Sequence, residues 1–271
     1  MDVKISIIMG IYNCGATLSE SLASIENQTY DRWELIMCDD ASSDNTLEVA
    51  EAFRAKYPER VTVLKNEKNL GLNATLNKCL AVAKGEYIAR QDGDDLSLPD
   101  RFEKEVAVLD NNPEIALVST NMSFFDDTGV WGVIKNPESP ERMDFFRSSP
   151  CFCHAPCMIR REAMLRVNGY TVEDRFLRCE DINLWYKLYE AGFKGYNLNE
   201  TLYMMRDDRN AYKRRTVKNR LNIIKTEYDG MKRLKCKGAE WRYFLKKAIK
   251  HLLLIITPEK VYQYLHKKRL S

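Results

Sequence analysis

Three aspartates lie within one short segment of the chain, QDGDDLSLP, at Asp92, Asp94 and Asp95. Like charges this close repel one another unless a cation or strong hydrogen-bond donors lie among them. An Asp-x-Asp pair in a turn can present two carboxylates to one hard cation, and Mg²⁺ and Mn²⁺ prefer oxygen ligands, including phosphate oxygens. The segment is therefore suited to a metal ion that bridges a diphosphate. The plainer alternative is a solvated acidic turn.

The elements around this segment alternate between strand and helix over the first half of the chain. Short apolar or β-branched runs predict strands, and amphipathic stretches predict the helices between them. This alternation indicates a three-layer α/β fold with a mostly parallel central sheet. The predicted strands are Lys4–Met9, Glu34–Cys38, Val61–Leu64 and Glu86–Arg90, and the predicted helices are Leu18–Asn27, Ser43–Tyr57 and Asn73–Ala83.

Two acidic clusters directly follow predicted strands. The pair Asp39-Asp40 comes after ELIMC, and Asp92–Asp95 comes after EYIAR. Ligands of open α/β sheets bind beyond the carboxyl ends of the strands. We therefore expect both clusters at one edge of the sheet and predict a binding site there.

The second half of the chain is less regular. The pattern predicts a helix at Arg101–Asn111, a strand at Ile115–Ser119 and a hairpin turn at Asp126–Gly129. A further helix is predicted at Asp181–Ala191, where Gly192 ends the helical pattern.

Positive charge is concentrated towards the C-terminal end. The net charge of the chain is only +3, yet residues 212–271 hold 18 Lys and Arg against 4 Asp and Glu. Apolar residues from Trp241 to Ile256 recur at helical spacing, with basic residues largely on the other face. We predict a catalytic domain at 1–215 and a basic amphipathic helical region at 216–271, which favours an anionic membrane surface over nucleic acid. Packing of the apolar face on protein is the alternative.

The composition also bears on location and redox state. No apolar run approaches the ~20 residues needed to cross a bilayer, and the N-terminal MDVKISIIMG has too short an apolar core for a secretory signal. We expect a cytoplasmic protein, peripheral at the cytoplasmic membrane, with its cysteines as free thiols. The alternative is zinc at Cys151, Cys153, His154 and Cys157, although C-x-C-H-x-x-C is not a usual zinc spacing.

Several short motifs occur in a fixed order along the chain. They are MGIYN from Met9, DDASSD from Asp39, NLGLNATLN from Asn69, DGDD from Asp92, HAPCMIRRE from His154, NGY from Asn168 and EDINLWYKL from Glu180. Over about residues 4–215 the set resembles family 2 of the inverting, sugar-nucleotide-dependent glycosyltransferases, and in particular bacterial members that build surface polysaccharides. The resemblance implies the Rossmann-like GT-A fold, Mn²⁺ or Mg²⁺ as cofactor, a nucleotide-sugar donor and a saccharide or lipid-linked acceptor.

The resemblance also implies which residues bind the nucleotide. Tyr12, with Asn13 beside it, would lie against the base. Asp40 would accept a hydrogen bond from the base imide and so favour uracil, which makes a UDP-sugar the expected donor. Asn69 and Gly71 would approach the nucleotide from the loop before a helix.

A second group of matches concerns the metal and the acceptor. Asp92 would approach the ribose and the hydrated metal, and Asp94 would be the direct metal ligand. Asp181 corresponds to the general base of the family, and Glu180 beside it would contact the acceptor. Trp185, one helical turn further on, would stack on a sugar or belong to the core.

Three positions depart from the family pattern. Gly10 replaces the usual proline of the first motif, and Asn168 replaces the first glycine of Gly-Gly-Tyr. Many relatives have Arg-x-His near the end of the catalytic domain, where both side chains help bind the diphosphate. Here Arg206 precedes two aspartates, so the histidine is missing, and the basic run 213–215 can supply charge beside it.

Two other classes of protein share part of this pattern. A nucleotidyltransferase would be expected to have a glycine-rich, basic loop after the first strand, and MGIYNCGAT contains no Lys or Arg. A non-catalytic sugar-nucleotide-binding subunit would not need both Asp94 and Asp181. We therefore predict an inverting glycosyltransferase, which metal-dependent transfer or hydrolysis of a donor would distinguish from a binding subunit.

Overall fold

The computed structural model describes residues 2–147, 151–207 and 216–257. Nine strands in this part of the chain form one sheet. The strands are β1 Ile5–Ile11, β2 Trp33–Asp39, β3 Val61–Lys65, β4 Tyr87–Arg90, β5 Leu96–Ser97, β6 Ile115–Asp126, β7 Gly129–Ile134, β8 Met158–Arg160 and β9 Lys194–Arg206. The helices are α1 Gly15–Glu26, α2 Thr46–Lys56, α3 Leu72–Val82, α4 Arg101–Asn111, α5 Asp144–Arg147, α6 Arg161–Arg166, α7 Glu180–Glu190, α8 Val217–Arg233 and α9 Trp241–Ile256.

The sheet has the order β3-β2-β1-β4-β8-β6-β9-β5, with β7 paired to β6. The strands β3, β2, β1 and β4 are parallel, so their carboxyl ends share one edge. The strand β8 runs antiparallel to both β4 and β6, and β6 and β9 are parallel to each other. The predicted α/β fold is confirmed, and its second half is a mixed sheet.

Apolar side chains on the two faces of the sheet form two separate cores. In the parallel strands, neighbours such as Ile7 and Ile8 belong to different cores because successive side chains point to opposite faces. Helices α1 and α4 cover one face, and α3 and α7 cover the other. The helices thus flank the sheet, and the loops at the carboxyl ends of the strands can form a site.

The sheet extends further than the apolar pattern of the sequence predicts. Strand β6 continues past Ser119 to Asp126, and the 13-residue β9 was not predicted. Polar side chains interrupt the apolar alternation there, although several are buried. Ser119, for example, is fully buried and its hydroxyl donates to the carbonyl of Cys153 at 2.8 Å. Such partners lie far away in sequence, so the local pattern does not show them.

The C-terminal helices share a core with the rest of the chain. Met231 of α8 is fully buried in the cluster that contains Trp185 and Tyr186 of α7. The hydroxyl of Tyr186 donates to Glu227 of α8 at 3.0 Å, and Glu227 pairs with Lys247 of α9 at 2.9 Å. The structure therefore joins α8 and α9 to the fold, and the predicted boundary at residue 215 lies outside the described residues. In the part of the chain that the structure describes, no helix is long and apolar enough to cross a membrane.

Candidate active site

The acidic turn, residues Asp92–Asp95 after β4, is held by side chains of α1. The hydroxyl of Ser21 donates to the carbonyl of Asp92 at 2.8 Å, and that of Thr17 donates to the carbonyl of Gly93 at 3.1 Å. A Cβ atom at position 93 would lie 2.7 Å from the sulfur of Cys14, which explains the glycine between the aspartates. The turn is thus fixed by specific contacts at the predicted edge of the sheet.

The three aspartates of the turn have different surroundings. Both carboxylate oxygens of Asp92 accept from the guanidinium of Arg90, at 2.7 and 2.9 Å. Asp94 is exposed. Asp95 is buried and accepts from the backbone N–H of Arg206 at 2.8 Å, and burial, together with its two acidic neighbours, raises its pKa well above the ordinary value. Asp95 therefore braces the turn against β9, and Asp94 is the carboxylate that faces solvent.

Arg206 lies at the acidic turn, and its contact with a diphosphate stays a prediction. Its Nε donates to the carbonyl of Asp94 at 3.2 Å, and its guanidinium lies 4.5 Å from the centre of the Phe125 ring. The same guanidinium pairs with Glu20 of α1. A diphosphate that binds Arg206 would have to displace Glu20 from the guanidinium. The basic run 213–215, which was predicted to supply charge beside Arg206, lies outside the described residues.

Asp40 is placed differently from the prediction. It is 4% exposed, and its carboxylate accepts from the backbone N–H groups of Leu70 (2.8 Å) and Gly71 (2.9 Å). The side-chain amide of Asn66 donates to it as well, at 2.7 Å. The prediction that Asp40 reads the base imide directly is not supported, because the carboxylate is buried and committed to this loop. Asp40 instead positions the loop that carries Asn69.

The other predicted nucleotide residues lie at the same edge. Tyr12 follows β1 and its side chain is 51% exposed, so its ring is available to a base. Asn13, at φ +48°, ties the loops after β1 and β2 together, since its side-chain oxygen accepts from the N–H of Ser43 at 2.9 Å. Asn69 is exposed, and Gly71 has φ +84°, a conformation that favours glycine. Contacts of these residues with a nucleotide stay predictions.

The predicted base lies in the first turn of α7. Asp181 is half-buried and accepts from the N–H of Ile182 at 2.8 Å. Burial and the neighbouring Glu180 raise the pKa of Asp181 to about 6, and the Arg90 guanidinium opposes that rise. A carboxylate whose pKa lies near neutrality is well suited to accept a proton at physiological pH. Its role as the base is argued below as a proposal.

Trp185 does not line an open site. It is 2% exposed, and its ring packs edge-on against Phe152 and His154 at centroid distances of 5.6 and 5.7 Å. A sugar has no exposed ring face to stack on, so the predicted acceptor contact is wrong and the core alternative holds. His154 in turn lies 2.9 Å, through Nε2, from the hydroxyl of Tyr170.

The three cysteines near His154 are buried free thiols. Cys151, Cys153 and Cys157 are buried and not bonded to one another. The sulfur of Cys153 accepts from the side-chain amide of Asn136 at 3.1 Å. Among the described residues no group of three or more His, Cys, Asp or Glu side chains is arranged to hold a metal ion. The zinc alternative therefore gains no support from this part of the chain.

Arg90 is the site residue that sequence reasoning missed. It ends β4, is 6% exposed, and pairs with Asp92. The signal was present, because the arginine that ends the otherwise apolar run YIAR must find a partner when the strand is buried. Its charge opposes the rise that burial and Glu180 cause in the pKa of Asp181.

Comparisons with known proteins agree with this geometry. The model of the family "Glycosyl transferase family 2" matches residues 6–168. EpsE of Bacillus subtilis, a protein named as a glycosyltransferase, is 44% identical over 266 residues, which cover 98% of this chain and 94% of EpsE. WfgD of Escherichia coli, named as a UDP-Glc:alpha-D-GlcNAc-diphosphoundecaprenol beta-1,3-glucosyltransferase, is 33% identical over 188 residues, 68% of this chain and 69% of WfgD.

Two solved structures share the fold at low sequence identity. S. aureus TarS 1-349 in complex with UDP-GlcNAc has a TM-score of 0.69 and 19% identity, covering 98% of this chain and 79% of the TarS chain. The mannosyltransferase PcManGT of Pyrobaculum calidifontis, in complex with GDP-Man and Mn²⁺, has a TM-score of 0.67 and 17% identity, covering 99% of this chain and 80% of that one. The chain is a glycosyltransferase with the GT-A fold, and it belongs to glycosyl transferase family 2.

Proposed function

We propose that this enzyme transfers a sugar from a UDP-sugar to a saccharide or lipid-linked acceptor in surface polysaccharide biosynthesis, with inversion at the anomeric carbon. The observation that carries the proposal is the acidic turn at the carboxyl edge of the sheet, where Asp94 is exposed and both carboxylate oxygens of Asp92 accept from Arg90. Asp181, whose pKa is raised to about 6 by burial and by Glu180, supports a proton acceptor in the same enzyme.

The reaction needs one displacement and one proton transfer. The acceptor oxygen attacks the anomeric carbon while the bond between that carbon and the diphosphate oxygen breaks. Asp181 takes the proton from the acceptor hydroxyl, and nucleoside diphosphate leaves. Glu180, half-buried beside Asp181, is proposed to contact the acceptor. No covalent sugar intermediate is required, so inversion follows.

The acidic turn fits a divalent cation. Asp94 offers an exposed carboxylate, and Asp92, half-buried beside it, has its orientation fixed. Two carboxylates leave positions for diphosphate oxygens and water, as Mg²⁺ and Mn²⁺ prefer. We propose Asp94 as the direct ligand, with Asp92 near the hydrated ion and the ribose. When bound, Mn²⁺ or Mg²⁺ offsets the negative charge that develops on the departing diphosphate.

One prediction concerns the nucleotide base of the donor. WfgD, which is named for UDP-Glc, supports uridine, whereas the GT-A fold is shared with a neighbour bound to GDP-Man and therefore does not decide. We expect UDP to bind at least ~10-fold more tightly than GDP in the presence of Mn²⁺, a difference of ~1.4 kcal/mol. Isothermal titration calorimetry with UDP, GDP and CDP checks this. Tighter binding of GDP would show that the enzyme takes a different donor.

The C-terminal helix α9 supports a contact with an anionic membrane surface. Leu245, Ile249, Leu252 and Leu253 of α9 are 50–56% exposed and lie on one face of the helix. The exposed Lys246 follows Leu245 by one residue, as Lys250 follows Ile249, so basic residues border the apolar stripe. Apolar side chains at an interface combine with basic ones to bind anionic headgroups.

The adjoining part of the apolar face of α9 packs against the protein. Trp241 and Phe244 pack against the core and against Tyr228 of α8, at ring distances of 5.7 and 5.9 Å from it. Lys247 is half-buried and paired with Glu227. The predicted single apolar face is thus divided, because part of it covers the protein and part faces solvent. We retain 216–271 as a functional region, although α8 and α9 contribute side chains to the core of the catalytic domain.

Sedimentation with anionic vesicles tests this contact. Truncation near residue 215 would remove the buried Met231, so point variants of the full chain are preferable. We expect the double variant Ile249→Glu, Leu253→Glu to pellet at least ~10-fold less than the wild type, since each side chain contributes ~1.5–3 kcal/mol when buried. The matched control is Val130→Glu, Leu165→Glu, two exposed apolar positions elsewhere. If the α9 variant pellets like the wild type, the stripe does not contact lipid.

A further inference from the structure

Gln91, the residue directly before the acidic turn, is fully buried. Its side-chain Nε2 donates to the carbonyl of Asp95 at 2.9 Å and to that of Asp92 at 3.3 Å. The N–H of Asp95 donates to the same carbonyl of Asp92 at 3.3 Å, so the four residues form a hydrogen-bonded β-turn. Gln91 therefore bonds to the first and the last carbonyl of the turn that presents Asp94.

The oxygen of the Gln91 amide has partners of its own. Oε1 accepts from the hydroxyl of Ser97 at 2.7 Å and from the guanidinium of Arg101 at 3.3 Å. On the other side, Nε2 also donates to the hydroxyl of Ser21 at 3.2 Å, and that hydroxyl donates to the carbonyl of Asp92 at 2.8 Å. These partners fix the orientation of the amide, because a flipped amide would place its oxygen against two carbonyl oxygens.

The two middle carbonyl groups of the turn also accept hydrogen bonds. The hydroxyl of Thr17 donates to the carbonyl of Gly93 at 3.1 Å, and Nε of Arg206 donates to that of Asp94 at 3.2 Å. Thr17 and Arg206 are only half-buried, and Arg206 is the predicted diphosphate contact. The bonds from Gln91 are shielded from solvent, so they can hold the turn whether or not a donor is bound.

We propose that Gln91 is a positioning residue for the divalent cation: it holds the acidic turn in the shape in which the carboxylates of Asp92 and Asp94 meet one ion. The inference rests on the proposed role of this turn as the metal site. It adds that a buried side chain orders the turn in advance, so the cation does not have to order it on binding. The motifs of the sequence leave this glutamine without a role.

A second buried glutamine provides a matched control. Gln28 is 8% exposed, and its Nε2 donates to the carbonyl groups of Ser24 at 3.1 Å and Leu98 at 2.8 Å. Its Oε1 accepts from the backbone N–H of Phe102 at 3.1 Å. Gln28 thus has the same kinds of partner as Gln91, but these partners do not belong to the acidic turn. A substitution that only destabilises the fold should act alike at both positions.

Gln91→Glu separates the two halves of the amide. The retained oxygen can still accept from Ser97 and Arg101, and the guanidinium favours an ionised carboxylate. The second oxygen replaces the donor that faces the carbonyl groups of Asp92 and Asp95, so it repels them and distorts the turn. We expect the Mn²⁺ concentration that gives half of the full UDP affinity to rise at least ~10-fold, as loss of groups that orient metal ligands does elsewhere.

Isothermal titration calorimetry with UDP over a series of Mn²⁺ concentrations, and with EDTA, measures this change. In Gln91→Glu the UDP affinity at saturating Mn²⁺ and the weak affinity in EDTA should both stay within ~3-fold of the wild type, because the substitution acts on the cation. Gln28→Glu should match the wild type within ~3-fold throughout. Should Gln91→Glu not fold, Gln91→Met has a similar shape, lacks the donor and carries the same expectation.

Each possible result decides the proposal. An unchanged requirement for Mn²⁺ in Gln91→Glu, or in Gln91→Met, would show that Gln91 does not position the turn. An equal loss of UDP affinity in EDTA, or the same rise in Gln28→Glu, would show a general distortion of the fold and would also overturn the proposal. Failure of the proposed metal site has a different signature, since Asp94→Ala would then keep the full Mn²⁺ dependence.

Discussion

Replacing Asp181 with asparagine is expected to lower sugar transfer at least ~10²-fold while donor affinity stays nearly unchanged. Asparagine has almost the same shape and can still accept from the N–H of Ile182, but it cannot take a proton from the acceptor. The effect should appear in kcat, because Asp181 lies at the N-terminal end of α7 and does not belong to the turn that is proposed to bind the metal and the diphosphate. Initial rates of transfer or donor hydrolysis, with calorimetry of UDP binding, measure both quantities.

Glu180 provides the matched control for this prediction. Glu180→Gln removes a carboxylate from the adjacent position, and with it a charge that raises the pKa of Asp181. We expect this variant to increase KM for the acceptor, to keep kcat within about tenfold of the wild type and to move the acid limb of the pH profile of kcat to lower pH. Near-normal turnover of Asp181→Asn would rule out Asp181 as the base.

The second large effect is expected at the acidic turn. Asp94→Ala should reduce Mn²⁺-dependent transfer by at least ~10²-fold and weaken Mn²⁺-dependent UDP binding at least ~10-fold, since the exposed carboxylate is the proposed ligand. The buried Asp95 offers a control that removes a carboxylate one residue away. Asp95→Asn can still accept from the N–H of Arg206, so the turn keeps its brace and UDP binding should change less than ~3-fold.

Titrations with and without chelator separate metal binding from nucleotide binding in these variants. The wild type should lose most of its UDP affinity when EDTA is added, and Asp94→Ala should bind equally weakly in both conditions. If Asp94→Ala instead retains the full Mn²⁺ dependence, the cation is held by other residues and the role of the turn must be reassigned.

Local pattern was sufficient to predict the elements that position the site. The first four strands and the helices between them follow apolar periodicity, and the parallel arrangement places the acidic turn and Tyr12 at one edge. The helix from Arg101 to Asn111 was predicted at its observed bounds. These features depend on neighbours within a few residues, which the sequence displays directly.

The environments of single side chains were harder to predict. The motif around Asp40 predicts a nucleotide contact, but in the structure its carboxylate is bound by the loop at 66–71. The position of Trp185 predicts stacking on a sugar, but its ring is packed against Phe152. The pairing of Arg90 with Asp92 depends on which way a buried strand presents its last residue. Each of these outcomes is set by contacts between distant parts of the chain, so periodicity and spacing carry no record of them.

The shared core of α7, α8 and α9 also affects when the enzyme becomes active during synthesis. The helix that carries Asp181 packs on Met231 and, through Tyr186 and Glu227, is connected to Lys247. On a ribosome the sheet and the acidic turn can fold while α9 is still inside the exit tunnel, but α7 then lacks part of the core against which it packs. If Asp181 is the base, as proposed, we expect a nascent chain to bind nucleotide before it can accept a proton from an acceptor, and we expect catalysis only after α9 has emerged.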